Sequence, residues 1–324
     1  MLIQDFEIFK GNSYSPFENN GKHYLLNREP YLDIVLSDYC NANCSFCIAD
    51  LLHSKLRLNF DIAKTKVKFA VDHMQVRDAL LLGGEPTTSV ILIPFIEYLQ
   101  TLNLNKIIMT TNGLNLARNV AYREKIFSSG LTHVNISFMS LDVAAQKAVT
   151  ESEQPLTLVD IIAISETARK YGVKLRINNN VWKGNNDTLN LMTEFYDTVR
   201  PLVDSVKFSP LLKTDAFSVV DFKTQWVKDN ILSDDYYDNL FESLEKFFVN
   251  LRRISIITNE EQFGFVKNSM IPLAVPIILN WNQHGQMMNK VVKENKINNL
   301  KLLPNGELSL SWNRELTQYY IKTE

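Results

Sequence analysis

Between residues 31 and 210 the chain alternates strand-like apolar runs with segments of helical period, and this alternation constrains the fold more than any other feature. The runs YLDIVL (31–36), DALLLGG (78–84), KIIMTTNG (106–113), THVNISF (132–138), VKLRINNNV (173–181) and DSVKFSP (204–210) are β-rich and end in Gly, Asn, Ser or Pro. Amphipathic stretches lie between them, among them FDIAKTKVKFAVDHM (60–74), VILIPFIEYLQTL (90–102), LTLVDIIAISETARKYG (156–172) and NDTLNLMTEFYDTVR (186–200). Parallel strands need crossovers and a helix supplies one, so the pattern predicts a parallel sheet covered by helices. A doubly wound sheet and a full or partial barrel both satisfy it. In either, a ligand sits beyond the C-terminal ends of the strands, where this chain places SDYCNANC, GGEPTT, TTNG, SFMS and NNN.

After about residue 211 the alternation stops. A polar segment from Lys213 to Asp235 leads to the helix-period stretch YYDNLFESLEKFFVNLRR. The chain then closes with INNLKLLPNGELSLSW, a hairpin pattern around Pro304-Asn305-Gly306 that is expected to lie against the main sheet. No internal repeat or low-complexity segment interrupts the chain.

At 324 residues and 45% hydrophobic content, there is core enough for one large α/β domain or two smaller ones. The net charge of −2 gives no broad basic field, which argues against nucleic acid as a partner. The N-terminal MLIQDFEIFK is too charged for a secretory signal. The apolar run from Met270 to Leu279 is too short, and too rich in proline, to span a bilayer. A cytoplasmic protein with no membrane partner is expected.

All three cysteines fall in CNANCSFC, at Cys40, Cys44 and Cys47. An odd number confined to one loop is not a disulfide framework, and clustered thiolates in a reducing compartment point to metal or cluster ligation. Read alone, the loop allows an iron–sulfur cluster with one iron lacking a protein ligand, a zinc site completed by His53, or three buried thiols. GGEP (Gly83–Pro86) follows the second strand; its glycines permit close backbone approach, and Glu85 could aim a carboxylate at an ammonium group.

Cysteine loop, GGEP and TTNG in this order resemble the radical S-adenosylmethionine (radical SAM) superfamily. THVNISFMSLD, the stretch from LTLVDII to KGNND, and LLPNGELSLSW further resemble its MoaA-like and SPASM/twitch branch. The resemblance implies a partial (β/α)6 TIM-type barrel over residues 31–210. An N-terminal extension (1–30) would precede it, and a twitch-like C-terminal extension with a β-hairpin (211–324) would follow. It implies that Cys40, Cys44 and Cys47 ligate one [4Fe–4S] cluster whose fourth iron chelates S-adenosylmethionine. Gly83, Gly84 and Glu85 would receive the methionyl ammonium, with Pro86 fixing the turn. Asn112, Ser137 and Asn178 would contact the rest of the cofactor, and Phe46 and Ile48 would flank the cluster and adenine. Strand-end turn chemistry is the plainer account of the three polar residues. The activity implied is reductive cleavage of S-adenosylmethionine to a 5′-deoxyadenosyl radical that abstracts a substrate hydrogen atom. A low-potential donor such as a flavodoxin or ferredoxin would supply the electron.

Two departures from the resemblance matter. Met139 stands where relatives usually carry aspartate, and TESEQPL where they carry an arginine or Gly-Arg, which leaves Lys147 and Gln154 as substitute contacts for the cofactor's carboxylate. The auxiliary-cluster cysteines of SPASM and twitch extensions are absent, since no cysteine follows Cys47. One cluster and no thiol hydrogen donor are therefore expected, with Tyr196 or Tyr236 as substitute donors and self-resolving chemistry such as a crosslink or rearrangement. No catalytic side chain is assigned. A ribosomal peptide is the expected substrate, although the 39 residues before Cys40 are few for a leader-binding domain. A small molecule or nucleotide is the alternative, with Lys207, Lys213, Arg252 and Arg253 as candidate phosphate contacts. The remaining class is a non-catalytic iron–sulfur or zinc module.

Overall fold

The computed structural model describes residues 13–47, 55–212, 222–252, 257–260, 267–281, 295–312, 314 and 316–323. Six parallel strands stand where the apolar runs predict them: β2 (Lys22–Val35), β3 (Asp78–Leu82), β4 (Lys106–Thr111), β5 (His133–Ser137), β6 (Lys174–Val181) and β7 (Ser205–Pro210). The crossovers carry α1 (Phe60–His73), α2 (Leu92–Gln100), α3 (Leu114–Arg118), α4 (Val120–Ser128), α5 (Val143–Thr150), α6 (Leu158–Lys170) and α7 (Leu189–Val199). Helix starts are set by side chains that satisfy orphan N–H groups. Asn59 accepts from Asp61 N and Ile62 N at α1, and Thr157 and Asp160 form a reciprocal capping box at α6.

Three findings differ from the sequence expectation. First, β2 is far longer than 31–36. Its early half pairs antiparallel with β1 (Tyr14–Asn19), while Tyr31–Val35 pairs parallel with β3. Second, the polar segment after residue 213 contains a helix, α8 (Phe222–Asn230), ahead of the expected amphipathic α9 (Asp234–Arg252). Its buried positions Lys223, Thr224 and Val227 include only one apolar side chain, so hydrophobic period could not reveal it. Third, the proline-flanked run MIPLAVPIIL is a hairpin: β9 (Lys267–Ile271) turns into β10 (Ile277–Asn280), and β8 (Ile257–Glu260) pairs with β9.

The C-terminal hairpin, β11 (Lys296–Leu302) and β12 (Leu308–Ser309), extends the main sheet through its backbone instead of merely packing on it. β11 runs parallel to β2, with Lys301 beside Asp33. At the other side β10 runs parallel to β7. The order is β12-β11-β2-β3-β4-β5-β6-β7-β10-β9-β8, and no described strand joins β12 to β8, so the sheet is a partial barrel and not a closed one.

Alternation along the strands separates two environments. Leu32, Ile34, Leu81, Met109, Val134, Ile136, Ile177, Val206 and Phe208 belong to the core shared with the helices. The opposite, inner positions carry Asp33, Thr110, Asn135, Arg176, Asn178 and Lys207. A closed eight-stranded barrel fills its interior with branched aliphatic side chains; this inner face is polar, as a ligand-holding interior requires. No helix among the described residues is long and apolar enough to cross a membrane.

Candidate active site

The cysteine loop leaves β2 and is stitched to two neighbouring strand ends and to α5. On the β3 side, Gly84 N donates to Ser37 O at 2.7 Å and Glu85 N to Tyr39 O at 2.8 Å. The approach is so close that a Cβ built on Gly84 would lie 2.2 Å from Tyr39 O, and one on Gly83 2.4 Å from Ser37 O. Both glycines are thus required by contact with the loop backbone itself. At the β4 end, Asn112 Nδ2 donates to Asn41 Oδ1 at 2.8 Å and points at Cys40 Sγ at 3.7 Å. The far side of the loop is held by α5, where Asn43 N and Ser45 N donate to Thr150 O and Val149 O.

Glu85 corrects the expectation that its carboxylate faces an ammonium group. The side chain is 1% exposed and turned inward. Oε1 accepts from Thr87 N, Thr87 Oγ1 and Thr111 Oγ1, and Oε2 accepts from Asn112 N at 2.7 Å. Burial raises the carboxyl's pKa above the ordinary range, opposed by these four donors. Glu85 therefore locks the GGEP turn to the TTNG turn, and its carboxylate is taken up by the fold. Pro86 opens a 3-10 turn, Pro86–Thr88, capped by the same carboxylate.

The three thiols are half-buried and unbridged. Burial pushes Cys40 up to about 11 and Cys44 up to about 12. Glu85 and Cys47 add to the rise at Cys40, and the other two thiols add to it at Cys44. Thiols placed as Cys40 and Cys44 are become thiolates beside a strong positive charge such as a metal, and the Ala42 N and Asn112 Nδ2 donors aimed at Cys40 Sγ suit a ligating sulfur. Among the described residues, no three His, Cys, Asp or Glu side chains converge on a single ion. His53 and Ile48 lie outside the described residues.

A narrow cleft beside the thiols is lined by Cys44, Phe46, Asn112, Ser137, Met139 and Gln146, among others. Asn112, Ser137 and Phe46 are thus brought together as expected of neighbours. Asn112 also makes the plain strand-end turn, accepting from Leu114 N through Oδ1. Asn178 pairs with Ser137 in register, but its Oδ1 accepts from Arg176 Nε and it does not line the cleft.

The substitutes expected for recognising the cofactor's carboxylate do not line the cleft. Lys147 is exposed and pairs with exposed Glu153, and Gln154 is exposed. The residue missed in their place is Gln146, 1% exposed, whose Oε1 accepts from Met139 N and Ser140 N. Only the four-residue offset from Asp142, the cap of α5, marks it in the sequence.

The tyrosines have structural tasks. Tyr196 is buried and donates to Val275 O, and Tyr236 donates to Asp187 O at the surface. Lys207 is half-buried on the inner face of β7. Lys213, Arg253 and the side chain of Arg252 lie outside the described residues.

The model of the radical SAM superfamily matches residues 34–196. A GTP 3′,8-cyclase of Tolumonas auensis is 31% identical over 163 residues, covering 48% of this chain and 46% of that one. The chain spans about half the length of the curated relatives it matches. Among solved structures, Streptococcus suis SuiB is similar over 89% of this chain and 61% of its own, with a TM-score of 0.61 and 16% identity. SuiB bound to its precursor peptide SuiA gives 0.58 over 86% and 58%, with 17% identity. At these identities the likeness to SuiB is one of fold.

Proposed function

Because the chain belongs to the radical SAM superfamily, it is an enzyme of a family that works with a [4Fe–4S] cluster and S-adenosylmethionine, and we propose that it modifies a peptide. In this reading Cys40, Cys44 and Cys47 hold one cluster. The backbone of Gly83, Gly84 and Glu85, on the turn set by Pro86, receives the methionyl end of the cofactor. Phe46, Asn112 and Ser137, with Gln146, face the side of the loop on which the remainder lies, with Asn178 behind them. Residues 31–210 form the catalytic barrel, and 211–324 a twitch-like extension without a cluster of its own.

When bound, the cofactor supplies one-electron chemistry and hydrogen-atom abstraction. The protein's part is positional: Glu85 fixes two turns against the cysteine loop, and Phe46 and Met139 give the cleft beside it apolar walls. A flavodoxin or ferredoxin delivers the electron, and the protein works in the cytoplasm.

The observation that carries the peptide reading is the open sheet. β8 has no strand beyond it among the described residues, and an extended peptide can add to such an edge beside a polar inner face. The fold likeness to SuiB, solved with its precursor peptide, supports the same choice. A nucleotide is the second reading, favoured by the sequence likeness to GTP 3′,8-cyclases.

The test is anaerobic reconstitution, iron counting, and incubation with dithionite and S-adenosylmethionine. GTP and any short peptide encoded beside the gene serve as separate substrates. A peptide mass change with 5′-deoxyadenosine release is expected; turnover of GTP with every peptide unchanged refutes the reading.

A further inference from the structure

The stretch 56–58 is laid against the start of the cysteine loop and gives that limb an exposed face of its own. Asp38 N donates to Leu56 O and Leu58 N to Leu36 O, both at 3.0 Å, and Ser37 and Arg57 form an antiparallel bridge. Leu56 N also donates to Asp38 Oδ2 at 3.3 Å. The opposite limb of the loop, at Asn43 and Ser45, is covered by α5. Tyr39, the residue before Cys40, is 50% exposed, more than any other aromatic among the described residues, and Leu56 beside it is 42% exposed. The Arg57 guanidinium lies 5.9 Å from the centroid of the Tyr39 ring, and Lys55 and Arg57 are both exposed. The charge presented by these two segments is of one sign. Asp38 is turned inward, with 6% of its side chain exposed, and Arg314 holds it there. No described carboxylate pairs with Lys55 or Arg57. Asp61, the next acid along the chain, lies beyond Asn59 in the first turn of α1.

We propose that Tyr39, Lys55, Leu56 and Arg57 form the surface on which a flavodoxin docks to reduce the cluster. This rests on the reading that Cys40, Cys44 and Cys47 hold a [4Fe–4S] cluster. A flavodoxin is a small acidic protein whose flavin presents an apolar edge within a rim of carboxylates. The patch is its complement, an exposed aromatic and an exposed aliphatic side chain flanked by two cations. Electron-transfer partners meet over small, weak interfaces, so a patch of this size is proportionate. Its place also suits the task, since Tyr39 is bonded directly to Cys40 and a flavin seated there is close to the cluster. The GGEP turn binds this limb through the carbonyls of Ser37 and Tyr39, which leaves the Tyr39 side chain and the two cations uninvolved while a ligand occupies the turn. One electron passes from the reduced flavin to the cluster, the flavin being oxidised by one electron as the cluster is reduced by one.

The experiment measures binding of a purified bacterial flavodoxin to the reconstituted enzyme by calorimetry, and the rate of cluster reduction by that flavodoxin in stopped flow. Wild type, Arg57→Glu and Lys125→Glu are compared. Lys125 is an exposed cation in the last turn of α4, which runs back to the N-terminal ends of the strands, so its reversal makes the same change in net charge away from the loop. Iron counting and reduction of wild type by dithionite come first; their failure sinks the cluster reading, separately from the docking surface. Arg57→Glu is expected to weaken binding and slow flavodoxin-driven reduction about tenfold at low ionic strength. The variant and wild type should converge as salt screens the charges. Dithionite, which needs no docking surface, should reduce all three alike, and Lys125→Glu should match wild type with flavodoxin. Equal flavodoxin rates in Arg57→Glu and wild type overturn the proposal, as do equal losses in Arg57→Glu and Lys125→Glu, a parallel loss with dithionite, or a flavodoxin that neither binds nor reduces wild type. Should Arg57→Glu fail to fold, Lys55→Glu is read by the same criteria.

Discussion

Replacing Gly84 by alanine tests whether the GGEP turn is built for contact with the cysteine loop. The added Cβ would sit 2.2 Å from Tyr39 O, 2.5 Å from Tyr39 C and 2.7 Å from Asp38 O, all backbone atoms that cannot swing aside. Ordinary contact begins at 3.4 Å, so the turn and the loop must part by about 1.2 Å. The hydrogen bonds from Gly84 N to Ser37 O and from Glu85 N to Tyr39 O, now 2.7 and 2.8 Å, then stretch beyond useful range. Two lost backbone bonds at about 1 kcal/mol each, plus overpacking of about 1–3 kcal/mol, give a destabilisation of roughly 3–5 kcal/mol.

Gly172 is the control. It adopts φ +69 and a Cβ added there would meet nothing within 4 Å, so Gly172→Ala costs only left-handed strain, about 1–2 kcal/mol. The effect of a Cβ on the unfolded chain is common to both variants and drops out of the comparison. Urea unfolding followed by tryptophan fluorescence gives the stability difference, and iron per chain after reconstitution reports the loop. Gly84→Ala should lose more of both. Equal losses in the two variants would refute the close-contact reasoning.

Three further outcomes follow from the geometry. Glu85→Gln turns an amide N–H₂ towards donors that now meet a carboxylate, and should cost about 3 kcal/mol in urea unfolding while lowering iron loading; a wild-type midpoint would count against the lock between the two turns. Arg314→Ala strips the bidentate partner from Asp38, whose side chain is 6% exposed, and should cost about 3 kcal/mol. Arg314→Ala combined with Asp38→Asn should cost little more than Arg314→Ala alone, and full additivity would show that the pair is uncoupled. Burial lowers the pKa of Lys301 to about 8, partly offset by the charge of Asp33. The folded state therefore gives up that proton before the unfolded state does. Wild-type stability relative to Lys301→Met should rise from about pH 8 towards the ordinary lysine range and stay flat below it, and a difference that falls across that window would refute the assignment.

The six core strands and the large helices are legible in the sequence because each is a local periodicity. Leu32 and Ile34, or Val134 and Ile136, alternate on one face whatever the rest of the chain does, and the helix N-caps lie within three residues of what they cap. The cysteine loop and the GGEP turn are legible as chemistry for the same reason, since their ligand types sit a few residues apart. Glu85 is ambiguous in the sequence because its carboxylate could equally face a ligand or the fold. Only Thr111 and Asn112, on and just beyond the next strand, decide the matter. α8 is hidden because its buried face contains a lysine and a threonine, which a hydrophobic pattern scores as surface.

By itself the sequence determined a parallel sheet under helices, with one three-cysteine loop beside a glycine turn and no thiol left for anything else. Short-range periodicity and residue chemistry suffice for that. Tertiary structure alone decided what closes on that loop. Arg314 reaches Asp38 across 276 residues, the C-terminal hairpin joins β2 as a neighbouring strand, and α8 packs Trp226 and Val227 into the group that holds Phe46. Each of these depends on which surfaces a folded sheet leaves uncovered, and no local pattern encodes that.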